Sequence, residues 1–156
     1  MGHPVNEPIL AYARGSQERI DIQIELDRQM NQVLEIPCII NGKEVFTNNT
    51  VNQVIPHKHN HIIARVHLAG KEEMDAACKS AVDAQESWIE IGLEERCAIF
   101  ERCADLLAGD WRMKVNASTM LNQSKTVFQA EIDAACELID FWRFNSNDNA
   151  YIVWLV

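Results

Sequence analysis

Glycine is scarce in this chain, with six in 156 residues, and none of them sits in a G-x-G-x-x-G pattern. A dinucleotide-binding turn of that kind needs glycines where the backbone bends sharply against a pyrophosphate, so no such turn is encoded here. Cysteine occurs five times, as Cys38, Cys78, Cys97, Cys103 and Cys136, but never as C-x-x-C. That spacing excludes a zinc ribbon and a thioredoxin-type redox pair, and the odd count predicts reduced thiols packed as small apolar side chains. No early run is apolar enough for a signal peptide or long enough for a membrane helix. The stretch from Met1 to Pro8 also lacks the Arg-rich amphipathic character of a mitochondrial presequence, and the two N-x-S/T matches at Asn48 and Asn122 carry little weight without a secretory signal. Basic residues are few: 14 against 23 acidic ones give a net charge of −9. Such a balance repels polyanions, which argues against a nucleic-acid or anionic-membrane binder.

What is present is ordinary globular material, 47% apolar and 24% charged, in a chain of one-domain length. Asn6 to Gly15 reads as an extended arm. Ser16 is suited to cap a helix over 17–35, with Ile20, Ile24, Val33 and Leu34 at near-helical intervals and Pro37 as its stop. Cys38-Ile39-Ile40, Asn41-Gly42 and Lys43 to Phe46 then spell a β-hairpin, because Asn-Gly supplies the two positive φ angles of a type I′ turn. Short strands follow at 53–55 and 62–68. Beyond Gly70 the pattern is helical. Residues 71–89 place Met74, Ala77, Cys78, Ala81 and Trp88 on one stripe, and 93–108 do the same with Leu93, Cys97, Phe100, Ala104 and Leu107. Gly109 and Asp110 predict a helix stop and a new N-cap, for a helix running to Gln123. A last helix from Val127 carries Phe128, Ile132, Ala135, Ile139 and Trp142. The fold class expected is mainly α, about four to five helices with a small β-hairpin segment.

That last helix has a second face. At about 100° per residue, Glu137 points away from the Phe128/Ile132/Ile139 stripe, with Phe141 and Phe144 beside it. A carboxylate among aromatic rings suggests a pocket wall, while a solvated glutamate is the plainer alternative.

Asn6-Glu7-Pro8-Ile9-Leu10-Ala11, the Ile36-Pro37-Cys38 step and the run from Gln123 through Lys125-Thr126-Val127-Phe128 to Phe144-Asn145 resemble the amino-terminal part of the Δ1-pyrroline-5-carboxylate dehydrogenase family, the aldehyde dehydrogenases of proline breakdown. The resemblance covers Asn6 to Asn145. It implies NAD-dependent oxidation of L-glutamate γ-semialdehyde to L-glutamate in the mitochondrial matrix, by a homo-oligomeric enzyme of α/β fold. Residues 1–15 would be the arm, 16–145 an incomplete first part of the NAD-binding domain, and 146–156 a divergent tail. The family's nucleophile sits in a Gly-Gln-x-Cys context that none of these cysteines has. A Glu base, oxyanion donors and a nucleotide fold are also required. The chain alone is therefore expected to be inactive and to bind no NAD. By resemblance, Glu137 would lie near the substrate's α-ammonium group and Lys125 would be structural; no catalytic, cofactor or metal residue is assigned. Ser124 stands where the family has Gly, at a cost of about 1 kcal/mol if the site is left-handed. The switch after Asn145 predicts a truncated or alternatively spliced reading, and Tyr151 to Val156 is an uncharged, β-prone, aggregation-prone run.

The sequence leaves two further chemistries open. His57, His59, His61 and His67 fall within eleven residues, as metal-binding tracts can, but Lys58 and Asn60 suggest an exposed turn. Cys97 and Cys136 sit on helices among apolar neighbours, which favours packing over nucleophilic use. The remaining alternative is a non-catalytic helical interaction module that aggregates or pairs with full-length subunits through an uncovered helix face.

Overall fold

An extended arm leads into helix α1 (Gln17–Met30), followed by five short strands and a run of helices. The computed structural model describes the backbone of residues 3–154 and the side chains of residues 3–148. The strands are β1 (Leu34–Ile36), β2 (Cys38–Ile40), β3 (Lys43–Val45), β4 (Thr50–Ile55) and β5 (Lys58–His67). After them come α2 (Lys71–Glu90), α3 (Leu93–Ala108), α4 (Arg112–Gln123), α5 (Val127–Ala130), a π-helical turn (Glu131–Cys136) and α6 (Glu137–Trp154). The architecture is mainly α, as the sequence predicts.

The hairpin forms as expected. β2 and β3 pair antiparallel with Cys38 opposite Val45, and Asn41 and Gly42 take φ of 51° and 70°. A second, three-stranded sheet has the order β1-β5-β4. In it β5 runs antiparallel to β4 and parallel to β1, with Leu34 opposite Ala64. This pairing corrects the helix expected over 17–35. α1 ends at Met30 because Leu34 to Ile36 bond to Ala64 to Val66, some thirty residues on. The buried face of α1 also differs: Ile20 and Ile24 are exposed, while Ile22 and Glu25 are buried. Ile22 packs with Tyr12 and Ala117, and Leu26 and Met30 reach toward Ile55, Ile63 and Leu121. Ser16 holds the N-cap position in an extended conformation without a side-chain capping bond.

α3 matches its expected bounds and buries Cys97, Ala104 and Leu107. Asp110 is not the next N-cap; Trp111 is, since its N–H bonds back to the Leu106 carbonyl and carries the turn one residue further. The expected stripe of α2 is a larger departure. Nothing on α2 is buried; it packs only lightly, along β2. What holds it is local: Glu73 accepts the Gly70 N–H at 2.7 Å, and Lys71–Asp75 and Lys79–Asp83 pair one turn apart.

The last helix is interrupted where periodicity suggested none. A π turn inserts about one extra residue, so everything upstream is rotated by about 100° relative to α6. Ala135, Ile139 and the half-buried Trp142 keep their place against Ala104 and Leu107. Upstream, the rotation swings Phe128 out, 59% exposed, and brings Ala130 and Glu131 fully inside. The β-prone run at the carboxyl end is helical through Trp154, because it continues α6; Leu155 and Val156, like Met1 and Gly2, lie outside the described residues.

Candidate functional site

The most heavily bonded side chain in the core is Glu131, the first residue of the π turn, which has no exposed surface. Its Oε2 accepts the Tyr12 hydroxyl at 2.7 Å and Asn116 Nδ2 at 2.8 Å, and its Oε1 accepts the Leu10 N–H at 2.8 Å. Arg112, at the start of α4, closes a short ion pair with it through Nη2. Arg112 also donates to Glu7 at 2.6 Å and to the Pro8 carbonyl at 2.7 Å. Burial alone would raise the Glu131 carboxyl, but the Arg112 bond and the Leu10 and Tyr12 donors outweigh it and hold the group below the usual carboxylate range. Burial and the Glu131 hydrogen bond raise the Tyr12 phenol well above its ordinary value. Asn116 Oδ1 is buried with no hydrogen-bond partner among the described residues.

The cluster extends to α6. Arg143 bonds Glu7 at 2.6 Å and Asp105 at 3.2 Å, while Asp140 accepts Asn6 Nδ2 and the Glu7 N–H, both at 2.7 Å. Chemically this is a clamp for the arm rather than a reaction centre, since Glu131 offers no surface to a substrate. Its one strained member is Tyr12, whose φ of 51° is rare for a non-glycine residue and is stabilised by the hydroxyl's two buried bonds. The sequence reading missed this cluster. A signal existed: on an uninterrupted helix Glu131 falls about 60° from Phe128 and about 80° from Ile139, at the edge of the apolar stripe, a costly place for a carboxylate without a partner.

Glu137, the residue singled out from sequence, lies at the start of α6 on its exposed side. Phe141, one turn on, is 60% exposed, and Phe144 is half-buried. Glu137 and Phe141 thus lie one turn apart on the exposed side of α6. The four histidines go separate ways. His57 bonds the Ser124 hydroxyl at 2.8 Å, His61 the Met30 carbonyl at 2.7 Å, and His67 sits between Thr47 and Glu35. His59 is exposed, and among the described residues no three His, Cys, Asp or Glu side chains converge on one point. Glu35, 2.8 Å from His67, is an acidic neighbour the sequence did not suggest. Lys125 pairs with Asp133 at 2.5 Å, and Ser124 closes α4 in the left-handed region, φ 54°. Of the candidate cysteines, Cys97 is buried against the Ser146 carbonyl and Cys136 beside Arg112 and Glu131. Burial, and then the Glu131 charge, push the Cys136 thiol up to about 11, the opposite of an activated nucleophile. No helix among the described residues is long and apolar enough to cross a membrane.

This layer of helices on a small mixed sheet is a known one. The model of the aldehyde dehydrogenase family matches residues 45–150, and the chain belongs to that family. Within it, the chain is similar to Δ1-pyrroline-5-carboxylate dehydrogenases. It is 46% identical over 140 residues to that of Agaricus bisporus, covering 89% of this chain and 26% of the relative. The mitochondrial enzymes of Rattus norvegicus and Homo sapiens are 43% and 42% identical, each over 90% of this chain and 25% of the relative. The solved structure of the Mycobacterium tuberculosis enzyme bound with NAD superposes with a TM-score of 0.95 at 41% identity, over 97% of this chain and 29% of that one. The chain thus spans about a quarter of the length of these relatives. The family match ends at residue 150, past Asn145, and begins in β3.

Proposed function

We propose that this chain supplies the amino-terminal helical layer of an NAD-dependent dehydrogenase that oxidises L-glutamate γ-semialdehyde to L-glutamate in proline degradation. The observation that carries the reading is the superposition on the NAD-bound Mycobacterium tuberculosis enzyme at a TM-score of 0.95 with 41% identity. Residues 16–145 then belong to the first part of the NAD-binding domain and residues 1–15 form the arm, while the family match carries on to residue 150, into the tail of 146–156. The thiolate, Glu base, oxyanion donors and nucleotide turn come from the part of the family fold that these 156 residues do not carry. On its own the chain turns over no semialdehyde and binds no NAD. Several relatives are named as mitochondrial, which supports the matrix as its compartment.

In this reading Glu137 faces the α-ammonium end of the substrate, a carboxylate complementing a cation, with Phe141 as apolar wall. The test pairs the chain with a polypeptide carrying the remaining three-quarters of a related enzyme. Semialdehyde-dependent NADH formation is expected from the mixture and none from the 156-residue chain. In the active pair, Glu137→Ala raises KM for the semialdehyde by about tenfold, the worth of one charge-assisted contact, and leaves KM for NAD alone. Turnover by the isolated chain, or an unchanged semialdehyde KM, overturns the respective claim.

A second reading has its own support in the uncovered apolar surface. Val82, Trp88 and Ile89 on α2 and Phe141 on α6 are all exposed. Exposed apolar side chains of this kind suit a non-catalytic module pairing with full-length subunits of the same family. Size-exclusion chromatography separates the two: a defined complex with intact enzyme that leaves its activity unchanged favours the module.

A further inference from the structure

The arm has one apolar anchorage, where Leu10 and Tyr12 pack with Ile22 and Ala117, and is otherwise held by polar groups. Val5 and Ile9 point outward, 80% and 54% exposed. Its outer anchors are Asn6, on Asp140 of α6, and Glu7, on Asp140 and Arg143 of α6 and also on Arg112 of α4. Its inner anchors are the Leu10 N–H and the Tyr12 hydroxyl, on Glu131. The two sets of receivers therefore flank the π turn. In a helix of uniform pitch, Glu131 would be rotated by about 100° relative to Asp140 and Arg143. A single extended strap meets both sets only while the turn carries its extra residue. Cys136, at the end of the turn, is covered by the same strap, its thiol 3.8 Å from the Pro8 carbonyl.

We propose that the arm and the π turn are one coupled element: with the arm docked the helix holds the π register, and with the arm released it relaxes to a uniform α-helix. Relaxation turns Glu131 toward the rim, where water replaces Leu10 and Tyr12, and swings the exposed Phe128 toward the face of Ile139. The π turn is then held by the arm from outside, not by the helix's own sequence. This inference is independent of the catalytic reading, because no substrate, cofactor or active-site residue enters it.

The test loosens the outer anchors in the full chain with Asn6→Ala and Arg143→Ala, leaving Glu131, Arg112 and the Glu7–Arg112 pair in place. Amide hydrogen exchange over residues 8–12 and 131–136 should accelerate together, by about tenfold or more, while α3 keeps its protection. Maleimide labelling of Cys136 should rise. A reporter thiol introduced by Phe128→Cys in the same background should become harder to label. Fast arm exchange with unchanged exchange at 131–136 overturns the coupling. Labelling that rises at both 128 and 136 overturns the change of register, since it signifies local melting. The unsubstituted chain provides a check that needs no variant to fold: in rising urea the two segments must open with a shared midpoint and slope, and separate openings refute the proposal.

Discussion

The Arg112 guanidinium and the Glu131 carboxylate form an ion pair with side-chain exposures of 5% and 0%. A pair taken so far out of water adds little stability over an apolar replacement, but losing one partner strands the other charge in the core. The pair joins α4, the π turn and the arm at a single point, so its rupture is felt by all three.

Glu131→Ala and Arg112→Ala should each cost about 3–5 kcal/mol in urea unfolding. The double variant should cost less than the sum of the two by at least about 1 kcal/mol, because no charge is left stranded. Tyr12→Phe, which removes one donor to Glu131, should cost about 1–2 kcal/mol. Additive single effects would show that the pair is not a unit.

Acid should weaken the fold through the same group. The folded-state pKa of Glu131 lies below its unfolded value, and Glu25, bonded to Arg28, behaves alike. Their stabilisation is complete above the unfolded carboxylate value of about 4.3 and is lost as pH falls below it toward the folded values. Thermal melts should show stability falling below about pH 5, with a shallower acid slope in Glu131→Gln.

Ser124 sits at φ 54° where α4 ends, a conformation that costs an L-residue about 1–2 kcal/mol. Ser124→Gly relieves that cost and forfeits only the exposed bond to His57. A net gain of about 0.5–1 kcal/mol in chemical denaturation is expected. A loss would mean that the His57 bond outweighs the backbone term.

Thiol labelling should follow burial. Cys78 is exposed on α2 and should react first, while Cys97 and Cys136 are buried and should react last. With its pKa pushed up to about 11, Cys136 is only about 0.1% thiolate at pH 8, so labelling resolved by mass spectrometry should leave it nearly untouched in the native chain.

The features legible in the sequence are those that one or two residues dictate locally. Asn41-Gly42 demands positive φ twice, and the hairpin lies where they stand. α3 was readable from its stripe, and its stop from Gly109. The end of α1 was not, because what stops it is pairing with β5 far along the chain, which no local pattern records. The π turn was invisible for a related reason: a helical wheel assumes one pitch, and the anchors that set the second pitch lie in the arm. An uninterrupted wheel places Glu137 among aromatic rings. The same wheel left Glu131 near the edge of the core face, and only the altered pitch turns it fully inward.

Helix α2 has a consequence for how the molecule comes apart. Twenty residues long with no buried side chain, it relies on its own cap, two ion pairs and a light contact along β2, and adds little to the core. On heating it should unravel ahead of the cooperative transition, and a protease present in trace amounts should nick the polypeptide there before touching anything Arg112 and Glu131 hold together.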